Sequence, residues 1–149
     1  MTTTPLLALL QRQCPPGLYR LDTAIAIEES LTLCEQMRWQ GFVVDGKNAN
    51  NKENFLKAWA DGLDFPHYFG YNWDAFEDCL LDLGWCDRKP RLVIYTDPEN
   101  LANHDPKNWK TAQEILEVAI KYWQSRLNPL TILFVTQDTR FQAIPLLTS

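Results

Sequence analysis

Asn72-Trp73-Asp74-Ala75-Phe76-Glu77-Asp78-Cys79-Leu80-Leu81-Asp82-Leu83 is the stretch on which the reading of this fold turns. At about 100° per residue, Trp73, Phe76, Cys79, Leu80 and Leu83 fall on one side of a helix, an apolar stripe suited to burial against a sheet. Asn72 stands where an N-cap belongs, and Asp74 lies in the first turn near the positive end of the helix dipole. Asp74, Glu77, Asp78 and Asp82 gather on the opposite side. Like charges four residues apart oppose helix formation, and Asp82 near the C-terminal end also opposes the dipole. Folding alone would not choose such a face. Leu81 projects between Asp78 and Asp82 and is expected to be exposed, an apolar anchor inside a ring of carboxylates.

Outward from this helix the acidity persists and then stops. The thirty residues between Lys57 and Arg88 contain no Lys or Arg but hold Asp61, Asp64, Asp74, Glu77, Asp78, Asp82 and Asp87. The other 119 residues carry all 14 basic side chains against 12 acidic ones, so the formal net charge of -5 comes from one segment. Local charge of this kind suggests a site. It argues against direct binding to a phosphate backbone, which needs clustered Lys and Arg. The run entering the helix, Asp64-Phe65-Pro66-His67-Tyr68-Phe69-Gly70-Tyr71, holds more rings than a connecting loop can easily bury.

With 149 residues, 46% of them hydrophobic, the chain suits one globular domain with a core of its own. Its apolar run at residues 6–10 is too short to span a membrane and lacks the basic flank of a signal peptide, so a cytoplasmic protein is expected. Cys14, Cys34, Cys79 and Cys86 match no zinc or redox spacing and read as reduced thiols. No metal and no cofactor is expected.

Periodicity predicts a short helical turn after Pro5, a break at Pro15-Pro16-Gly17, a strand at residues 18–21 and a helix over 24–39 stopped by Gly41. A strand follows at 42–44, then a helix over 51–62 opened by a capping box of Asn50 and Glu53, with Phe55, Leu56, Trp59 and Leu63 inward. Beyond the acidic helix come a strand at 91–95, a short turn from Asp97-Pro98, a helix over 107–126 and a last strand at 130–135. The tail, 136–149, has no assignable pattern. Strands alternating with helices predict an α/β fold with a small, mainly parallel sheet of three or four strands packed by helices. Residues 1–40 are expected to form an N-terminal extension of strand plus helix packed on the domain formed by 41–149.

The run Phe65-Pro66-His67-Tyr68-Phe69-Gly70-Tyr71-Asn72-Trp73-Asp74-Ala75-Phe76-Glu77-Asp78-Cys79-Leu80 resembles the barstar family of intracellular barnase-type ribonuclease inhibitors. Strand candidates at 42–46, 91–95 and 130–135 extend the likeness over about residues 41–135. The resemblance implies a single barstar-like domain, no catalysis, and a helix that enters a basic, barnase-like ribonuclease's active site with the loop before it. Carried across residue by residue, it implies partner contacts at Tyr68, Gly70, Asn72, Asp74, Asp78, Leu81 and Trp85. Asp78 matches the family's dominant acidic contact, an importance that comes with the resemblance, since barnase–barstar is itself the worked example of charge coupling across an interface. Two departures bear on the target. Glu77 stands where the family has Trp, adding charge to the contact set, and the last helix reads Lys121-Tyr122-Trp123 and ends with Arg126 where the family offers carboxylates.

Other readings compete. A carboxylate-based hydrolase would use Asp78 with Glu77 or Asp82, but carboxylates on one helix face do not oppose each other across a substrate. Asp74, Asp78 and Asp82 could hold Ca²⁺ or Mg²⁺ only with oxygens from elsewhere, and the sequence has no EF-hand-like loop. A regulatory module that binds some other basic protein stays open.

Overall fold

The computed structural model describes residues 3–83 and 88–148. In chain order the elements are α1 (Thr3–Leu10), β1 (Leu18–Leu21), α2 (Ile27–Gln36), β2 (Gln40–Asp45), α3 (Lys52–Leu63), α4 (Trp73–Asp82), β3 (Arg91–Thr96), α5 (Glu99–His104), α6 (Pro106–Gln124) and β4 (Leu130–Val135), followed by a 3₁₀ turn at Thr139–Phe141. The strands form one sheet in the order β1-β4-β3-β2, and every pairing is parallel.

The two central strands explain the layering. Arg91-Leu92-Val93-Ile94-Tyr95 and Leu130-Thr131-Ile132-Leu133-Phe134 are buried throughout, because helices cover both faces of the sheet. Alternate residues then serve opposite faces. Val93, Tyr95, Ile132 and Phe134 join the larger core with α3, α4, α5 and α6. Leu92, Ile94 and Leu133 join a second core with Leu6, Leu9 and Leu10 of α1, Cys34 of α2 and Trp39. Residues ahead of β2 thus form a full layer over one sheet face, while β1 widens the sheet by one strand.

The tail, unreadable in sequence, does defined work. Arg20 of β1 donates from its backbone N–H to Pro145 O and accepts from Leu147 N–H at its carbonyl (2.9 and 2.8 Å), so the chain end lies along the free edge of β1. Phe141 and Ile144 enter the larger core, and Leu147 the second.

Three local expectations need correction. α2 covers only 27–36, and its left-handed exit is made by Arg38 (φ 63°) rather than Gly41, which lies inside β2. Gly41 is small because of packing: an added Cβ would stand 3.0–3.1 Å from Leu31 and Cys34 side-chain atoms. The cap of α3 is Asn51, not Asn50; its side chain accepts from Asn54 N–H at 2.8 Å. Leu81 is half-buried rather than exposed, packed against the larger core that α4 and α6 share.

Candidate interaction surface: an acidic helix and its aromatic loop

Asp64, in the left-handed region (φ 54°), ends α3 and turns the chain outward. Phe65 and Phe69 fold back into the core and meet edge to face at 5.0 Å, with Phe69 N–H closing a turn onto Pro66 O (3.0 Å). Burying these two rings leaves the others outside: Tyr68 is 70% exposed and Tyr71 56%, and His67 lies on the surface beside Tyr68. Nothing in the sequence pattern singles out Tyr71 from its neighbours. Its left-handed backbone (φ 52°) aims the chain into α4, and its ring rests 4.7 Å from Phe69.

Asn72 is the N-cap that the sequence predicts. Its Oδ1 accepts from Ala75 N–H at 2.8 Å and its Nδ2 donates to Gly70 O at 3.3 Å, so one side chain locks loop to helix. Gly70 has no positive φ; an added Cβ would stand 3.1 Å from Asn72 Nδ2, so its small size protects this lock.

α4 buries Phe76, Cys79 and Leu80 and leaves Asp74, Asp78 and Asp82 exposed and Glu77 half-exposed. Among the described residues, none of these four carboxylates is held in an ion pair. Of the other acidic residues in the segment, Asp61 pairs with Lys57 at 3.0 Å in an exposed i,i+4 bridge, and Asp64, exposed at the end of α3, belongs to the loop rather than to α4. Trp85, Cys86 and Asp87 lie outside the described residues. The three exposed carboxylates stand one helical turn apart, a ridge about 12 Å long at 1.5 Å rise per residue. The Cys79 thiol beneath is raised above its ordinary pKa by burial first, then by Asp82 and Asp78.

What keeps the ridge rigid is attachment at both ends. Trp73 donates from its indole to Asn108 Oδ1 (3.3 Å), and Trp123 of α6 donates to Leu80 O (2.7 Å). Phe76 packs edge to face with Phe55 and Trp59 at 5.4 and 5.5 Å. Among the described residues no group of three or more His, Cys, Asp or Glu is placed to hold a metal ion, and no helix is long and apolar enough to cross a membrane.

Three comparisons relate the chain to known proteins. The family model described as Barstar (barnase inhibitor) matches residues 39–135. A Bacillus subtilis (strain 168) protein named "Putative ribonuclease inhibitor YrdF" is 42% identical over 52 residues, which are 35% of this chain and 55% of that protein. The match thus spans about half the length of that relative. Among solved structures, the Aeropyrum pernix ORC2 protein (ADPNP-ADP complexes) aligns with a TM-score of 0.57 at 14% identity, covering 95% of this chain and 41% of that one, a likeness of fold alone.

Proposed function

The chain belongs to the barstar family, and from that premise we propose that it is a stoichiometric protein inhibitor, without catalysis of its own, that blocks the active site of a basic, barnase-like ribonuclease in the cytoplasm. The observation that carries the reading is the unpaired ridge of Asp74, Asp78 and Asp82 on a helix anchored at both ends, with Tyr68 exposed on the loop before it. A ribonuclease cleft is lined with cations that hold phosphate. Carboxylates on a fixed helix can occupy the phosphate positions, and opposed fields speed encounter.

The roles divide by position. Asp78, central on the ridge, is the main phosphate mimic, and Asp74 and Glu77 flank it. Tyr68 offers a ring to stack on an active-site side chain, and Gly70 and Asn72 allow close backbone approach at the helix start. Leu81, half-buried on the shoulder of α4, supplies apolar contact through its exposed part. Residues 1–40 serve as an extension packed on the domain of residues 41–149, a division supported by Leu6, Leu9, Leu10, Leu21, Cys34 and Trp39 in the second core. All ridge carboxylates project from one helix into solvent, which favours an inhibitor over a hydrolase needing two carboxylates across a substrate.

The test mixes the purified protein with purified basic ribonucleases and follows RNA cleavage. Inhibition at one-to-one stoichiometry, weakened most by Asp78→Ala and less by Asp74→Ala and Tyr68→Ala, is expected. Rising salt should mainly slow association. Absence of inhibition, or indifference to all three substitutions, would refute the assignment.

A further inference from the structure

Helices α4 and α6 lie side by side and run the same way, since the start of α4 (Trp73) bonds the start of α6 (Asn108) and the end of α4 (Leu80) bonds the end of α6 (Trp123). On α6, Asn108 and Trp123 meet α4, and Tyr122, about 40° round from Asn108 at 100° per residue, lies on the flank next to that contact. The Arg126 guanidinium lies 3.6 Å over the centre of the Tyr122 ring, and its Nη1 donates to the Tyr122 carbonyl. Leu127, next in the chain, is 89% exposed. Arg126 has no carboxylate partner among the described residues.

A cation at a helix C-terminus answers the dipole, and that alone would account for Arg126. It does not account for a phenol ring, 37% exposed and edge-on to Trp123 at 5.2 Å, stacked beneath the guanidinium, nor for a leucine left almost wholly in water. Stacking also fixes the guanidinium while its remaining N–H groups stay available, and Tyr and Arg are the residue types that dominate contact surfaces. The charge is opposite to the ridge beside it. A nuclease cationic throughout would be attracted by α4 and repelled by the end of α6.

We propose that Tyr122, Arg126 and Leu127 form a specificity rim beside the acidic ridge, which receives a carboxylate-bearing, partly apolar segment at the edge of the target ribonuclease's cleft. The proposal rests on the inhibitor reading and adds what selects one basic ribonuclease over another.

The probe is a panel of purified basic ribonucleases, barnase among them, from which the one inhibited at the lowest concentration is taken forward. Against it, Arg126→Glu should weaken the complex about tenfold or more, Tyr122→Ala and Leu127→Ser several-fold each, with Arg126→Lys between. Melting temperatures should fall by no more than a few degrees, the loss expected from the helix dipole at Arg126 and from the edge contact of Tyr122 with Trp123. Replacing acidic residues at the rim of the nuclease cleft by Lys should yield one position that restores binding to Arg126→Glu. If Asp78→Ala weakens the complex while the three α6 substitutions leave it unchanged or tighten it, the rim is overturned and the inhibitor reading stands. If Asp78→Ala has no effect while Arg126→Glu does, the rim survives and the ridge does not. If the wild-type protein inhibits none of the panel, both fail.

Discussion

Removing the charge of Asp78 should make the free protein more stable while weakening its complex. Asp78 faces Asp74 and Asp82 four residues away on either side, all three are exposed, and no described cation neutralises them. Each like-charge pair costs about 0.2–0.5 kcal/mol on a helix surface, so Asp78→Asn should recover roughly 0.4–1 kcal/mol. Asp78→Ala adds the helix preference of Ala over Asp, about another 0.5 kcal/mol. For a chain of this length the two together raise the melting temperature by about 2–5 °C. The measurement is thermal and urea unfolding of both variants at low salt and near 1 M NaCl, where the repulsive part should vanish and the Ala preference remain. In the complex the same change should cost about 2–5 kcal/mol, the range for truncating one partner of a buried charge pair, for which barnase–barstar is the measured example. Loss of stability in Asp78→Asn, or a gain that ignores salt, would refute the claim that this face is selected against folding.

Asn72→Ala should cost about 1 kcal/mol by leaving the Ala75 N–H without its cap, and it should loosen the aromatic loop as well, read by urea unfolding and by exchange of the residue 70–75 amides. Gly62→Ala should destabilise despite the roughly 1 kcal/mol that Ala ordinarily gains over Gly in a helix, because its Cβ would stand 2.4 Å from Val43 O where α3 crosses β2; a stabilised variant would show that α3 has room to shift. Stability should also fall on the alkaline side. Burial pushes the Cys34 thiol up to about 11 from an ordinary 9.0, so the folded state keeps its proton where the unfolded chain loses it. That contribution is intact below pH 9 and is lost by about 1.4 kcal/mol per pH unit as pH rises toward 11. The slope of unfolding free energy against pH should flatten in Cys34→Ala; an unchanged slope would assign the alkaline loss to other groups, such as Tyr95, whose pKa burial raises, with Glu99 as the next cause.

How far the sequence could be read follows from which forces are local. β3 and β4 were legible because a strand buried on both faces must be apolar throughout, and α4 because its stripe and cap agree. The cap of α3 slipped by one residue because Asn50 and Asn51 are equally able to cap, and only the path out of β2 selects Asn51. Gly41 misleads for a related reason: the left-handed turn falls to Arg38, and the glycine answers to Leu31 and Cys34 packed against it. Leu81 was placed by the wheel of α4 alone, which knows nothing of α6. Residues 137–148 carry no period because their order is imposed by the free edge of β1 and by gaps in two cores. In the candidate site the exposed aspartates were legible from charge, whereas Tyr71 and the stack of Arg126 on Tyr122 depend on loop geometry and on the end of a different helix.

A ten-residue helix bearing four carboxylates would not hold together in water on its own propensity. It holds here because Phe76 and Leu80 are wholly buried in the larger core, Phe76 against Phe55 and Trp59, and because two indoles tie its ends to α6. The stabilisation therefore comes from the inner face and the Asn72 cap, and the outer face is free to carry charge that opposes the helix. This separation has a consequence for binding. Ordering of the ridge is completed on folding, so it is not deducted from the free energy of association. The mutual repulsion of its carboxylates is likewise present before encounter, and a cationic cleft that neutralises them relieves it. In the proposed complex the unfavourable pairs that weaken the free protein would favour binding, so stability and affinity should move in opposite directions at Asp78 but together at Asn72, where the side chain serves the helix and the loop at once.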